Sequence, residues 1–147
     1  MSDDTTGIEK KSSASWRPAT QMVRGGTMRS EFSETCEALF MTSGYVYPSA
    51  EEAERAFKKE VVRFMYSRYA NPTVAMFEKR LAILEGAEHC HATASGMAAV
   101  FASLACHLSA GDRIVASRAL FGSCSYIICE LLPRYGIEFE LVDGTNI

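Results

Sequence analysis

Ala94-Ser95-Gly96-Met97-Ala98-Ala99 is the stretch on which the reading of this chain turns. The run before it, Ala87 to Thr93, reads as a strand, and the small residues behind Ser95 open a helix. A strand that turns directly into a helix presents unpaired backbone N–H groups and the positive end of the helix dipole, a place to hold an anion. Gly96 allows a ligand close to the backbone. Reading onward, a helix is predicted over Gly96–Leu108, a turn at Gly111-Asp112, a short strand over Arg113–Ser117, a helix over Ser123–Tyr135 closed by Gly136, and a strand over Ile137–Val142. Pro133 is expected to shorten that last helix to Leu132. Strands separated by helices of this length predict right-handed βαβ units and a parallel sheet, hence an α/β chain.

A second stretch lies upstream, Tyr66-Ser67-Arg68-Tyr69-Ala70-Asn71-Pro72-Thr73. Read as extended over Tyr66–Ala70, it points the Tyr66 phenol and the Arg68 guanidinium the same way, toward one oxyanion. Alone, Tyr-x-Arg fits a packing aromatic beside a solvated charge better than a phosphate site, and Ser95 fits an ordinary helix cap equally well. Asn71 as N-cap and Pro72 at the first helical position start a helix whose Val74, Phe77, Leu81 and Leu84 share a face, with Gly86 as its stop. Ser49 with Glu52 reads as a capping box for an earlier helix with Glu51 and Glu52 in its first turn. Phe121-Gly122, just after a strand, could stack an aromatic ring on a flat ligand, or Phe121 could be a core or loop residue.

Residues 1–15 are polar and read as a flexible N-terminus. Residues 16–65 read as an arm and a helix: up to about residue 48 the apolar side chains, Phe32, Leu39, Phe40, Met41, Tyr45, Val46 and Tyr47, have no period and call for a partner surface. Residues 66–147 then open a larger sheet domain. The chain stops after a strand, with too few strands to cover a parallel sheet, so truncation is expected, as is association of the isolated chain through its open edge.

With 48% hydrophobic residues and a formal charge of −3, the 147-residue chain is globular and unsuited to nucleic acid, which demands clustered Lys and Arg. The apolar run around Ala98–Cys106 is too short for a membrane span, and Met1-Ser2-Asp3-Asp4 does not begin a signal peptide. Five cysteines without such a signal point to reduced thiols and a cytoplasmic protein. His89-Cys90-His91 resembles a metal motif, but on a strand Cys90 opposes both histidines, so no metal site is expected. Lys10, Lys11, Lys58, Lys59 and Lys79 all sit in polar or helix-surface contexts unsuited to a Schiff base, and no Walker or dinucleotide fingerprint is present.

Tyr66–Thr73, Leu84-Glu85-Gly86-Ala87, Ala94–Ala99 and Gly111-Asp112 together resemble, in order and spacing, the Cys/Met-metabolism family of pyridoxal-phosphate (PLP) enzymes. The resemblance runs from about Thr20 to the end. It implies the first part of a type I aminotransferase fold, an incomplete α/β/α cofactor domain. Within the family, Arg24–Thr27, Ser43–Tyr47 and Leu120–Cys124 are most similar to the O-succinylhomoserine sulfhydrylase branch. The resemblance further implies that Ser95, Gly96 and Met97 hold the PLP phosphate and that Tyr66 and Arg68 reach the cofactor of a neighbouring subunit in a homotetramer or dimer. Phe121 would stack on the pyridine ring where most relatives carry Tyr, leaving Tyr66 as a possible assistant in proton transfer. The family's Schiff-base lysine would lie beyond residue 147, so no catalytic residue is expected within this chain. The implied reaction replaces the succinyl group of O-succinylhomoserine with sulfide to give homocysteine for methionine biosynthesis. Cystathionine gamma-synthase, O-acetylhomoserine sulfhydrylase and methionine gamma-lyase are alternatives within the family. From other classes come a truncated non-catalytic homologue that pairs with a full-length partner as a structural or regulatory subunit, and an unrelated phosphate-binding module such as one for a nucleotide.

Overall fold

A computed structural model describes residues 15–145, so the polar opening up to residue 14 and the last two residues lie outside the described part. The chain is α/β and forms two compact units, divided between Ala92 and Thr93.

The first unit is helical. Helix α1 spans Pro18–Arg24, α2 spans Ala50–Phe57 and α3 spans Pro72–Glu85. The caps of the two longer helices are those the sequence predicts. Ser49 Oγ accepts from the Glu52 N–H at 3.2 Å, and Asn71 Oδ1 accepts from the Thr73 N–H at 2.9 Å. Gly86 closes α3 in the left-handed region at φ +65°. Helix α1, by contrast, falls where the sequence reads as irregular. Its seven residues are too few to display a period, and Pro18 at the first helical position is its one legible signal.

Helix α1 and the segment after it are held on α3 mainly by polar ties. Arg80 Nε donates to the Gly25 carbonyl at 2.8 Å, Arg80 Nη2 donates to Thr27 Oγ1 at 3.3 Å, and the same guanidinium pairs with Glu37. Gly26, at φ +72°, passes so close to α3 that an added Cβ would stand 3.0 Å from Lys79 Cβ and 3.1 Å from the Met76 carbonyl oxygen. Beneath it, Met76 is buried.

The second unit carries helix α4 (Gly96–Ala105), strand β1 (Arg113–Ser117), helix α5 (Gly122–Tyr126) and strand β2 (Glu138–Val142). Strands β1 and β2 pair in parallel, from Arg113↔Glu138 to Ser117↔Val142, with Arg113 Nη2 donating to Glu138 Oε2 at 3.0 Å. The core is Ile127, Ile128, Leu132 and Ile137, with Met97, Val100, Phe101 and Leu104 of α4 and Ile114 of β1 packed against it.

Three sequence readings are corrected. Ala87–Thr93 is not a strand: among the described residues the only ladder is β1–β2, and a strand exists only where a neighbour takes up its N–H and C=O groups. The helix read as Ser123–Tyr135 is α-helical only to Tyr126. It widens into a π turn over Ile127–Leu131 and tightens into a 3-10 turn over Leu132–Tyr135. Pro133 supplies no N–H and its ring crowds the carbonyl four residues back, so the regular ladder cannot pass through it. Tyr66–Ala70 is a turn and not an extended segment, as detailed below.

Gly26 and Gly86 permit a paired test of this packing. Gly86→Ala meets open space and is expected to cost only left-handed backbone strain, about 1–2 kcal/mol. Gly26→Ala adds the collision with α3 and is expected to cost at least about 1 kcal/mol more. Urea unfolding of both variants checks the order, and an equal loss would show that the Gly26 contact is loose.

Candidate functional site

The two stretches expected from the sequence to hold an anion fall in different units and are built on different chemistry. In the first unit, Tyr66 makes an isolated antiparallel bridge with Gly44, after which the backbone turns sharply: the N–H groups of Tyr69 and Ala70 both donate to the Tyr66 carbonyl, at 2.9 and 3.2 Å. Tyr66 and Arg68 are therefore brought together by a turn and not by strand alternation. The Arg68 guanidinium carbon lies 5.2 Å from the Tyr66 ring centre and 5.4 Å from that of Tyr69, a cation–π arrangement between two edge-to-face rings. Among the described residues Arg68 has no carboxylate partner. Tyr66 is 42% exposed. A fixed cation and a nearby phenol, both open to solvent and lacking a neutralising acid, form a donor set suited to a dianionic phosphate.

Between them, Ser67 faces the other way. Its N–H donates to the Ser43 carbonyl at 2.9 Å and its hydroxyl to the Thr42 carbonyl. Asn71, 8% exposed, donates from Nδ2 to Ser67 Oγ and to the Phe40 carbonyl, each at 2.9 Å. Sequence reasoning identifies Asn71 only as a helix cap and does not identify Ser67 at all. The signal was a hydroxyl residue placed between two site residues, which by itself specifies no partner. A cavity of about 250 Å³ beside the turn is lined by Ser67, Arg68, Tyr69, Asn71, Glu78 and His91. Glu78 Oε1 accepts from the Ala92 N–H at 2.7 Å and lies 3.4 Å from His91 Nδ1.

In the second unit, Ser95 caps α4, its Oγ accepting from the Ala98 N–H at 3.2 Å. The hydroxyl hydrogen of Ser95 stays available to donate, and the N–H groups of Gly96 and Met97 have no acceptor within the helix. A Cβ at Gly96 would meet nothing within 4 Å, so the approach to these donors is open. The Met97 side chain packs into the core, which fixes the helix end while leaving its backbone N–H outward. Phe121 follows the C-terminal end of β1, immediately before α5, and is 72% exposed. A ring that exposed is free to stack on a planar ligand. Thus Ser95, Gly96, Met97 and Phe121 belong to one unit, and Tyr66 and Arg68 to the other.

No group of three or more His, Cys, Asp or Glu side chains among the described residues is placed to hold a metal, and none of the described helices is long and apolar enough to cross a membrane. His89 lies 3.5 Å from Glu88, while His91 faces Glu78. All five cysteines are free thiols.

Open backbone donors at a helix start, a cation beside a phenol, and an exposed aromatic ring are groups suited to a phosphorylated, aromatic ligand. Residues 19–147 match the Cys/Met metabolism PLP-dependent enzymes, and the chain belongs to that family; its cofactor is pyridoxal phosphate. The O-succinylhomoserine sulfhydrylase of Mycobacterium tuberculosis is 57% identical over 129 residues, covering 88% of this chain and 32% of that protein. An L-methionine gamma-lyase of Fusobacterium nucleatum subsp. polymorphum is 34% identical over 128 residues, covering 87% of this chain and 32% of its own. Among solved structures, a protein described as an O-acetylhomoserine (thiol)-lyase from Campylobacter jejuni superposes with a TM-score of 0.82 at 27% identity, over 87% of this chain and 32% of that one. That structure contains N′-pyridoxyl-lysine-5′-monophosphate. The chain spans about a third of the length of the curated relatives it matches.

Two substitutions test the donor sets. Arg68→Ala is expected to weaken retention of pyridoxal phosphate by about 1.5–3 kcal/mol through loss of a charge-assisted contact. Gly96→Ala is expected to leave thermal stability unchanged or slightly raised, because its methyl meets no neighbour, yet to weaken cofactor retention by filling the approach. Cofactor dissociation measured beside thermal unfolding separates the two effects, and unaltered dissociation in either variant would remove that residue from the site.

Proposed function

We propose that this chain supplies the N-terminal third of a pyridoxal-phosphate enzyme that makes homocysteine from O-succinylhomoserine and sulfide. The observation that carries the reading is 57% identity with an O-succinylhomoserine sulfhydrylase, against 34% with a methionine gamma-lyase over a similar span. In this reading residues 16–65 form the arm that contacts a neighbouring subunit of a homo-oligomer, and residues 66–147 open the cofactor domain.

Pyridoxal phosphate, when bound, supplies an electron sink for reaction at the amino-acid substrate. The chain's own residues anchor and orient it. Ser95, Gly96 and Met97 hold the phosphate by backbone and hydroxyl donors at the start of α4, where the helix dipole adds attraction. Phe121 covers one ring face, and lacking a hydroxyl it neither donates to the ring nor carries a proton. Arg68 and Tyr66 reach the phosphate from the adjoining subunit, Arg68 contributing a permanent charge and Tyr66 a directional donor. Tyr66 is then the one phenol of this set able to take part in proton transfer near the substrate. The lysine that binds the cofactor covalently lies, in this reading, in sequence that follows Ile147.

Product analysis of the full-length enzyme tests the assignment. With O-succinylhomoserine and sulfide it is expected to release homocysteine, and to do so faster than with O-acetylhomoserine. Cystathionine formed at a comparable rate from cysteine would assign it instead to gamma-synthases, and methanethiol released from methionine to gamma-lyases. Co-purification of a longer homologous chain with an inactive short one would favour a partner-subunit role.

A further inference from the structure

We propose that Ser67 and Asn71 are positioning residues for the cofactor phosphate, setting by hydrogen bonds the place from which Arg68 reaches it; this rests on the reading of Arg68 and Tyr66 as phosphate donors. The Ser67 hydroxyl is saturated. It donates to the Thr42 carbonyl, accepts from Asn71 Nδ2 at 2.9 Å and has Tyr45 Oη at 3.4 Å. Its backbone is tied as well, since the Ser67 N–H donates to the Ser43 carbonyl and Tyr66 bridges Gly44. Asn71 carries the tie onward, because the same Nδ2 reaches the Phe40 carbonyl while Oδ1 caps α3. Thr73 Oγ1 completes the frame by accepting from the Phe40 N–H at 2.9 Å.

The geometry divides the turn into two sides. The inward side, Ser67 and Asn71, has every side-chain donor engaged. The outward side, Tyr66 and Arg68, is exposed, and among the described residues Arg68 is steadied only by two aromatic rings. Rings restrain a guanidinium only weakly at exposed positions. The direction of Arg68 is therefore set by its backbone, and that backbone is fixed by Ser67 on one side and Asn71 on the other. A long cationic side chain on a loose turn forfeits much of its contact energy to ordering, whereas one on a pinned turn does not.

The test is a double-mutant cycle in the pyridoxal-phosphate-loaded full-length protein, read as cofactor dissociation and, in parallel, as thermal stability of the cofactor-free form. Ser67→Ala is expected to weaken cofactor retention about tenfold, and by less than about twofold when Arg68 is already Ala, because Ser67 acts through Arg68. Asn71→Ser keeps a competent helix cap and no added charge but removes the Nδ2 ties, and is expected to follow the same pattern. It also serves if Ser67→Ala does not fold. Equal losses in the Arg68 and Arg68→Ala backgrounds would mean a purely structural role and overturn the inference, as would lower thermal stability with unchanged dissociation. If Arg68→Ala alone leaves dissociation unchanged, the phosphate reading itself fails and takes this inference with it. If only Arg68→Ala has an effect, the reading stands and the positioning role is rejected.

Discussion

The buried carboxamide of Asn71 is the constraint on which the first unit depends. A side-chain amide taken out of water must have its donors and acceptor engaged, or it costs roughly 1–3 kcal/mol for each group left unpaired. Asn71 meets that demand with the Phe40 carbonyl, Ser67 Oγ and the Thr73 N–H, from three separate parts of the chain. One residue thereby joins the arm, the Tyr66–Arg68 turn and the start of α3. A further attachment of the arm is of the same kind, with the Arg80 guanidinium holding Gly25, Thr27 and Glu37. Few apolar side chains are buried in this unit, among them Ala56, Met76 and Ala82, so directional polar bonds fix its geometry where hydrophobic burial does not.

The second unit solves its problem differently. Its core of Ile127, Ile128, Leu132 and Ile137 grips α4 through Met97, Val100 and Phe101, so the position of the α4 N-terminus is set by packing. The donors it presents are backbone N–H groups, which have no rotamers to order and need no charge. The Tyr66–Arg68 turn presents the opposite: a long, permanently charged side chain whose placement must come from elsewhere. On the proposed reading the two sets complement each other at one phosphate, the neutral backbone donors giving position and the charged guanidinium electrostatic strength.

Local signals were legible where the chemistry is local. Asn71-Pro72 and Gly86 mark both ends of α3, Ser49 marks the start of α2, and Gly136 marks the turn into β2, because caps and left-handed positions are decided within a few residues. Long-range pairing was not legible. Ala87–Thr93 precedes a helix as a strand of a βαβ unit would, but no ladder forms on it, and composition does not say whether a neighbour is present. The spacing of Tyr66 and Arg68 reads as strand alternation aimed at one oxyanion, whereas a turn brings the two together, since a two-residue spacing serves a turn as well as a strand. Ser67 was missed because a serine's role is fixed by which carbonyl stands opposite, and Thr42 lies 25 residues away. Family motifs in register, by contrast, are long enough to be specific, and they identified the cofactor from residues whose individual meaning is ambiguous.

The central claim is that the two donor sets serve one phosphate, contributed by two copies of the chain. A crystal structure of the full-length oligomer loaded with pyridoxal phosphate tests it most directly. The account predicts the phosphate on the Ser95, Gly96 and Met97 donors of one protomer, with Arg68 and Tyr66 of a neighbouring protomer within hydrogen-bonding distance of its oxygens. A phosphate held at Ser95–Met97 with Arg68 facing solvent, or paired to a carboxylate, would contradict it.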